Sequence, residues 1–93
     1  METIKYYHKN SDVIAYKKTI KDGGYWIERT YDKKGNQLTY KDSNKNWNER
    51  TYDKKGNELT FKDSNSNYEI KGRKVTKEEF EAFTNLLLSK IDG

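Results

Sequence analysis

Threonine, tyrosine, tryptophan and leucine alternate with charged residues through most of the chain, and each short alternating run ends in a cluster of Asp, Asn, Ser and Gly. Period-two alternation places successive side chains on opposite faces of a strand, and those clusters are turn formers. Residues 1–71 therefore predict short antiparallel strands joined by hairpin turns. A different period takes over after Gly72. Thr76-Lys77-Glu78-Glu79 is a capping-box signature, and Phe80, Phe83, Leu87 and Ile91 follow at helical spacing, with Val75 just before the cap. A helix over about 76–90 is expected, its apolar stripe packed on one face of the sheet.

The alternating region repeats. Residues 28–44 return almost unchanged as residues 49–65, a period of 21, and Trp26, Trp47 and Tyr68 keep the same spacing. A third copy thus begins at Tyr68 and stops near Gly72. A decayed copy lies upstream, where Tyr7 aligns with Tyr31, Tyr16 with Tyr40 and Lys5 with Arg29, the three extra residues falling in a loop at 18–24. Each unit has the length of one hairpin. The expected fold is α+β: an antiparallel β-meander of about seven strands, built from 21-residue hairpin repeats, with one C-terminal helix. A single domain would span 1–93, with a degenerate first hairpin at 1–24, two hairpin repeats and a partial third at 25–71, and the helix at 76–90.

Register decides which face is buried, since a slip of one residue exchanges the faces. With a four-residue loop Tyr31 pairs with Leu38, and Ile27, Tyr31, Leu38, Tyr40, Tyr52, Leu59 and Phe61 share a side, the preferred core. Trp26, Glu28, Thr30, Thr39 and Lys41, with their copies, then show on the other side. With a three-residue bulged loop Trp26 and Trp47 join Leu38 and Leu59 inside, and Tyr31, Tyr52, Arg29 and Arg50 lie outside.

The runs Tyr31-Asp32-x-x-Gly35-Asn36-x-Leu38-Thr39 and Tyr52-Asp53-x-x-Gly56-Asn57-x-Leu59-Thr60 resemble the YD repeat of RHS-type proteins. That resemblance, over roughly residues 28–68, implies β-hairpin scaffolding and no enzymatic activity. The array is far shorter than the family's, and a helix follows it. In overall style the chain also resembles the small lysine-, asparagine- and tyrosine-rich accessory proteins of bacteriophages, among them anti-CRISPR inhibitors of bacterial defence.

Composition narrows the chemistry. Of 93 residues, 37% are charged and 31% hydrophobic, the net charge is +4, and there is neither proline nor cysteine. Without cysteine there is no disulfide or thiolate chemistry, and a single histidine, His8, makes no multi-histidine metal centre. No paired acid–base constellation is visible, His8 reads as a surface or strand-end residue, and the expectation is a non-enzyme without cofactor or metal. Asp42, Asn44 and Asn46, with Asp53 in the twelfth position, have the oxygen spacing of a calcium loop, but Trp47 stands where that loop needs glycine. They read as a structural turn.

Binding is what remains. An exposed face repeating an aromatic, a charged residue and a threonine suits a partner surface, and the expected contacts are Trp26, Arg29, Lys41, Trp47, Arg50 and Lys62. The expected function is a small phage-type inhibitor docking on a bacterial protein or protein–RNA complex, such as an RNA-guided nuclease. The alternatives are a structural YD-repeat-like module and a nucleic-acid-binding protein, for which Lys33, Lys34, Lys54 and Lys55 crown the hairpin tips. No apolar run reaches the length of a membrane span and no secretory h-region opens the chain, so the expected location is the bacterial cytoplasm, as monomer or homodimer. The strand near residues 3–7 is the edge expected to pair in a homodimer.

Overall fold

The computed structural model describes the backbone of residues 1–92 and, within the helix, side chains as far as Leu87. The strands are β1 (Glu2–Tyr7), β2 (Ile14–Ile20), β3 (Trp26–Tyr31), β4 (Gln37–Asp42), β5 (Trp47–Tyr52), β6 (Glu58–Asp63), β7 (Tyr68–Ile70) and β8 (Arg73–Lys74), followed by helix α1 (Lys77–Asp92). All eight strands form one antiparallel sheet in sequence order, an α+β meander. The strand beyond the expected seven is β8, two residues that fold back on β7 through Ile70 and Arg73.

The hairpin tips reconcile the two registers. Asp32 N–H donates to the Asn36 carbonyl at 2.9 Å and Gly35 N–H to the Asp32 carbonyl at 3.1 Å, which closes a three-residue loop, Lys33-Lys34-Gly35. Gly35 sits at φ +88°, where a side chain is strained. Below the tip Tyr31 faces Gln37 but Thr30 faces Thr39, so Leu38 is an extra residue, a β-bulge. The bulge offsets the short loop and returns the ladder to the register of a four-residue loop. The hairpin of β5 and β6 does the same around Gly56 and Leu59. The connection between β4 and β5 has the same hydrogen-bond pattern, Asp42 N–H to Asn46 O and Lys45 N–H to Asp42 O, but Lys45 takes the positive φ. Between β2 and β3 the turn is confined to Lys21–Tyr25 hydrogen bonding, and residues 18–20, expected in a loop, continue β2.

The resulting alternation defines two faces. Trp26, Glu28, Thr30, Thr39, Lys41, Trp47, Glu49, Thr51, Thr60 and Lys62 share one, here the tryptophan face. Ile27, Arg29, Tyr40, Arg50 and Phe61 share the other, the arginine face. The preferred core is not a core: Ile27, Tyr31, Leu38, Tyr40, Tyr52, Leu59 and Phe61 are all half-buried, and no layer covers them. Instead α1 lies on the tryptophan face at the far end of the sheet, with the Phe80 ring 5.3 Å from that of Tyr68. Phe80 is the one buried apolar side chain among the described residues, 7% exposed. The physical reason is length. A 16-residue helix that packs on β7 and extends Phe80 and Thr84 toward β6 and β5 covers one end of an eight-strand meander and leaves the rest a single layer.

The capping box forms as expected: Glu79 N–H donates to Thr76 Oγ1 and Thr76 N–H to Glu79 Oε1, both at 3.1 Å. Phe83 and Leu87 are half-buried along the same stripe; the Ile91 side chain lies outside the described residues. Among the described residues no helix is long and apolar enough to cross a membrane.

Candidate binding surface

Trp26 opens β3 and Trp47 opens β5, and each is fixed by a serine that sequence reasoning passed over. Trp26 N–H donates to Ser43 Oγ at 3.1 Å while Ser43 N–H donates to the Trp26 carbonyl at 3.0 Å. Trp47 and Ser64 repeat the pair at 3.1 and 2.9 Å. The signal was available in the repeat itself, since each serine follows its tryptophan by the same interval. The clamp sets the backbone that carries each indole, and both indoles are half-buried. Lys18 Nζ lies 4.7 Å from the Trp26 ring, a cation–π contact that covers one side of it.

Lys41 stands directly opposite Trp47 and beside Glu28 in the adjacent ladder. Trp26, Lys41, Ser43, Lys45 and Trp47 line one open concavity of the tryptophan face. A second, of about 340 Å³, lies next to it between Tyr16, Glu28, Thr39, Trp47 and Glu49. Its floor is held by the Thr30 and Thr39 hydroxyls, 2.6 Å apart, and its wall by Tyr16, whose hydroxyl donates to Glu28 Oε2 at 2.5 Å. That hydrogen bond, then burial and the Glu28 charge, push the Tyr16 phenol up to about 12.

The six expected contacts therefore divide. Trp26, Lys41, Trp47 and Lys62 share the tryptophan face, with Lys62 Nζ 3.7 Å from Glu49 Oε1. Arg29 and Arg50 lie on the opposite face. Each is three residues beyond its tryptophan on the same strand, and an odd separation reverses the side. There the Arg29 guanidinium covers the Tyr40 ring at 5.3 Å and Arg50 covers Phe61 at 5.1 Å, so those rings are closed to a stacking base.

The calcium-spaced turn is occupied by its own protein donors. Asp42 is 4% exposed, and its Oδ1 accepts the N–H groups of Asn44 and Asn46. Its Oδ2 accepts from Tyr40, Tyr25 and the Asn46 amide. Burial alone would raise its pKa, but the Tyr40 hydroxyl and the Asn46 and Asn44 donors outweigh it and hold the carboxyl below the usual range. His8 is half-buried at the end of β1, its Nε2 donating to the Tyr31 carbonyl at 2.9 Å, a strand-end tie.

At the tips Lys34 Nζ donates to the Lys54 carbonyl at 3.1 Å, so neighbouring hairpins touch and their four lysines crowd one margin of the sheet. Comparison with family models, with curated proteins and with solved structures gives no match.

Proposed function

We propose that this chain is a non-enzymatic binding protein that docks the tryptophan face of its sheet on a protein or protein–RNA surface of a bacterial cell. The manner would be that of a small phage-type inhibitor of a defence complex. The observation that carries the reading is the pair Trp26 and Trp47 around Lys41, on a stretch of sheet that α1 does not reach. Half-exposed indoles beside a cation are the residue types that concentrate binding energy, and a ladder of paired strands holds them with little left to order on association.

In this reading each 21-residue unit is one hairpin repeat, similar to a YD repeat, whose work is to space the indoles at fixed separation along the meander. Inhibition would be steric. The test is affinity capture from bacteria carrying an RNA-guided nuclease, with nuclease-treated lysate, comparing the wild type with Trp26→Ala/Trp47→Ala. A stoichiometric complex retained by the wild type and lost by a double variant of unchanged circular dichroism is expected, together with increased plaquing of a targeted phage in cells expressing the wild type. Equal capture by both proteins removes the indoles from the interface.

A further inference from the structure

Cross-strand neighbours on the tryptophan face alternate in sign, as in Lys18, Glu28 and Lys41 abreast, or Glu49 opposite Lys62. The arginine face breaks this rule at one place. Lys5 of β1 lies directly opposite Lys17 of β2, and Lys17 directly opposite Arg29 of β3. Like charges directly opposite one another oppose strand pairing, so this row works against the fold it belongs to.

No acid relieves it. Glu2 and Glu28 belong to the other face, Asp12, Asp22 and Asp32 lie in turns, and the oxygens of Asp42, across from Ile27, are taken by its own turn and two tyrosines. Among the described residues neither Lys5 nor Lys17 has an acidic partner, and Arg29 rests on the Tyr40 ring.

The second unit serves as an internal control. Arg50, the copy of Arg29, has its Nε 3.1 Å from Glu58 Oε1. The residue at the position of Glu58 in the first unit is Gln37, and between residues 28–44 and 49–65 the only other difference is Tyr40 against Phe61. The single change of charge between the copies is thus the one that leaves Arg29 without a carboxylate. The bias extends to the whole half: residues 1–47 hold ten of the nineteen Lys and Arg but six of the fifteen Asp and Glu, which is the entire excess of +4.

We propose that Lys5, Lys17 and Arg29 bind successive phosphates of a single-stranded nucleic acid laid across β1, β2 and β3 on the arginine face. The row crosses two interstrand steps, about 10 Å in all. Tyr7, 54% exposed, lies two residues beyond Lys5 on the same side, and Tyr31 stands in the same relation to Arg29. Rings beside a cationic track are what unstacked bases use, and an open flat sheet admits a single strand with its bases turned onto the surface. The site is on the opposite face from the indoles and does not rest on the docking proposed for them.

The experiment is fluorescence anisotropy of labelled oligothymidylate with the full chain over a salt series. Three phosphate contacts give a slope of log K against log salt of roughly −2. Lys17→Gln is expected to weaken binding severalfold and to reduce the slope by about 0.7. Gln37→Glu, which copies the second unit, is expected to pair Arg29 and weaken binding while leaving the melting temperature equal or higher, so its effect is not one of misfolding. Trp26→Ala/Trp47→Ala is expected to bind the oligonucleotide as the wild type does. No binding at low salt, binding indifferent to both Lys17→Gln and Gln37→Glu, an equal loss with Lys41→Gln on the other face, or binding to phosphatidylserine vesicles but not to oligothymidylate would each overturn the proposal.

Discussion

Asp42 satisfies three backbone and side-chain donors of its own turn, the hydroxyl of Tyr40 on its own strand and that of Tyr25 just before β3, so one carboxylate ties the end of β4 and its turn to the turn that leads into β3. Asp63 repeats the turn part of this through Asn65 and Asn67, and Asp32 through Lys34 and Asn36. For all three, burial pulls the pKa up and the donors pull it further down, so the native value lies below the ordinary one. A depressed native pKa stabilises above the unfolded value, about 3.9, and that stability is lost as pH falls through the native value. Tyr16 has the opposite sign: pushed up to about 12, its contribution is present below the unfolded value of about 10 and lost as pH rises from there through about 12. Melting temperature followed by circular dichroism is therefore expected to fall on both sides, below about pH 4 and above about pH 10. Asp42→Asn should start lower and show a shallower acid limb, because it removes a group that must be protonated; an acid limb as steep as the wild type's would place the lability elsewhere.

At the scale of elements, the helix was the most legible part of the sequence. Thr76, Glu79 and the Phe80, Phe83, Leu87 spacing each carry a local physical rule, and helix and cap both form. The strands were legible in kind because their alternation is local, but three features were not. The bulges at Leu38 and Leu59 depend on how a three-residue tip is reconciled with the ladder below it, which no single residue announces. Nothing in Lys45 or Ser66 signals a positive φ, although both take the position that Gly35 and Gly56 take in the other turns. The two residues of β8 are too few to show a pattern. Of the six candidate contacts, the separation of Arg29 and Arg50 from the indoles could have been read from odd spacing alone, whereas the serine clamps needed the pairing of distant turns. Phe80 is the buried apolar side chain of the helix among the described residues, and Phe80→Ala is expected to cost about 3 kcal/mol of helix docking, the low end for a buried phenylalanine. Urea titration should then show helical signal lost before the fluorescence of Trp26 and Trp47 changes; a single coincident transition, as cooperative as the wild type's, would mean that the helix and the sheet stand or fall together.

For the whole molecule, an accessible surface of 7038 Å² compares with about 5,700 Å² for a compact monomer of this mass. The radius of gyration, 15.3 Å, compares with about 12 Å for a compact domain of this length. Both excesses have one cause: beyond the end held by α1, the sheet has no second layer, and its aromatic side chains are covered only by their neighbours and by the long stems of Lys and Arg. Each strand then draws its stability from the strand on either side, so the meander behaves as a row of coupled hairpins. The row is not uniform along its length. β1 has a single neighbour, all six of its residues are exposed, and it brings Lys5 against Lys17. β4, β5 and β6 have two neighbours each, the Asp42 and Asp63 turns, and a threonine pair on either side. Native-state amide exchange is accordingly expected to show protection lowest in β1, rising through β2 and β3 to a maximum in β4, β5 and β6. Equal protection from β1 to β7 would show that unfolding is all-or-none and that the single layer is as cooperative as a packed core. The same gradient bears on function, because the cationic row and the free edge both lie at the least protected end. A nucleic-acid strand bound across β1, β2 and β3 would neutralise the repulsion between Lys5 and Lys17, so protection of the β1 amides should rise on adding oligothymidylate at low salt, while β4, β5 and β6 keep the protection they already have.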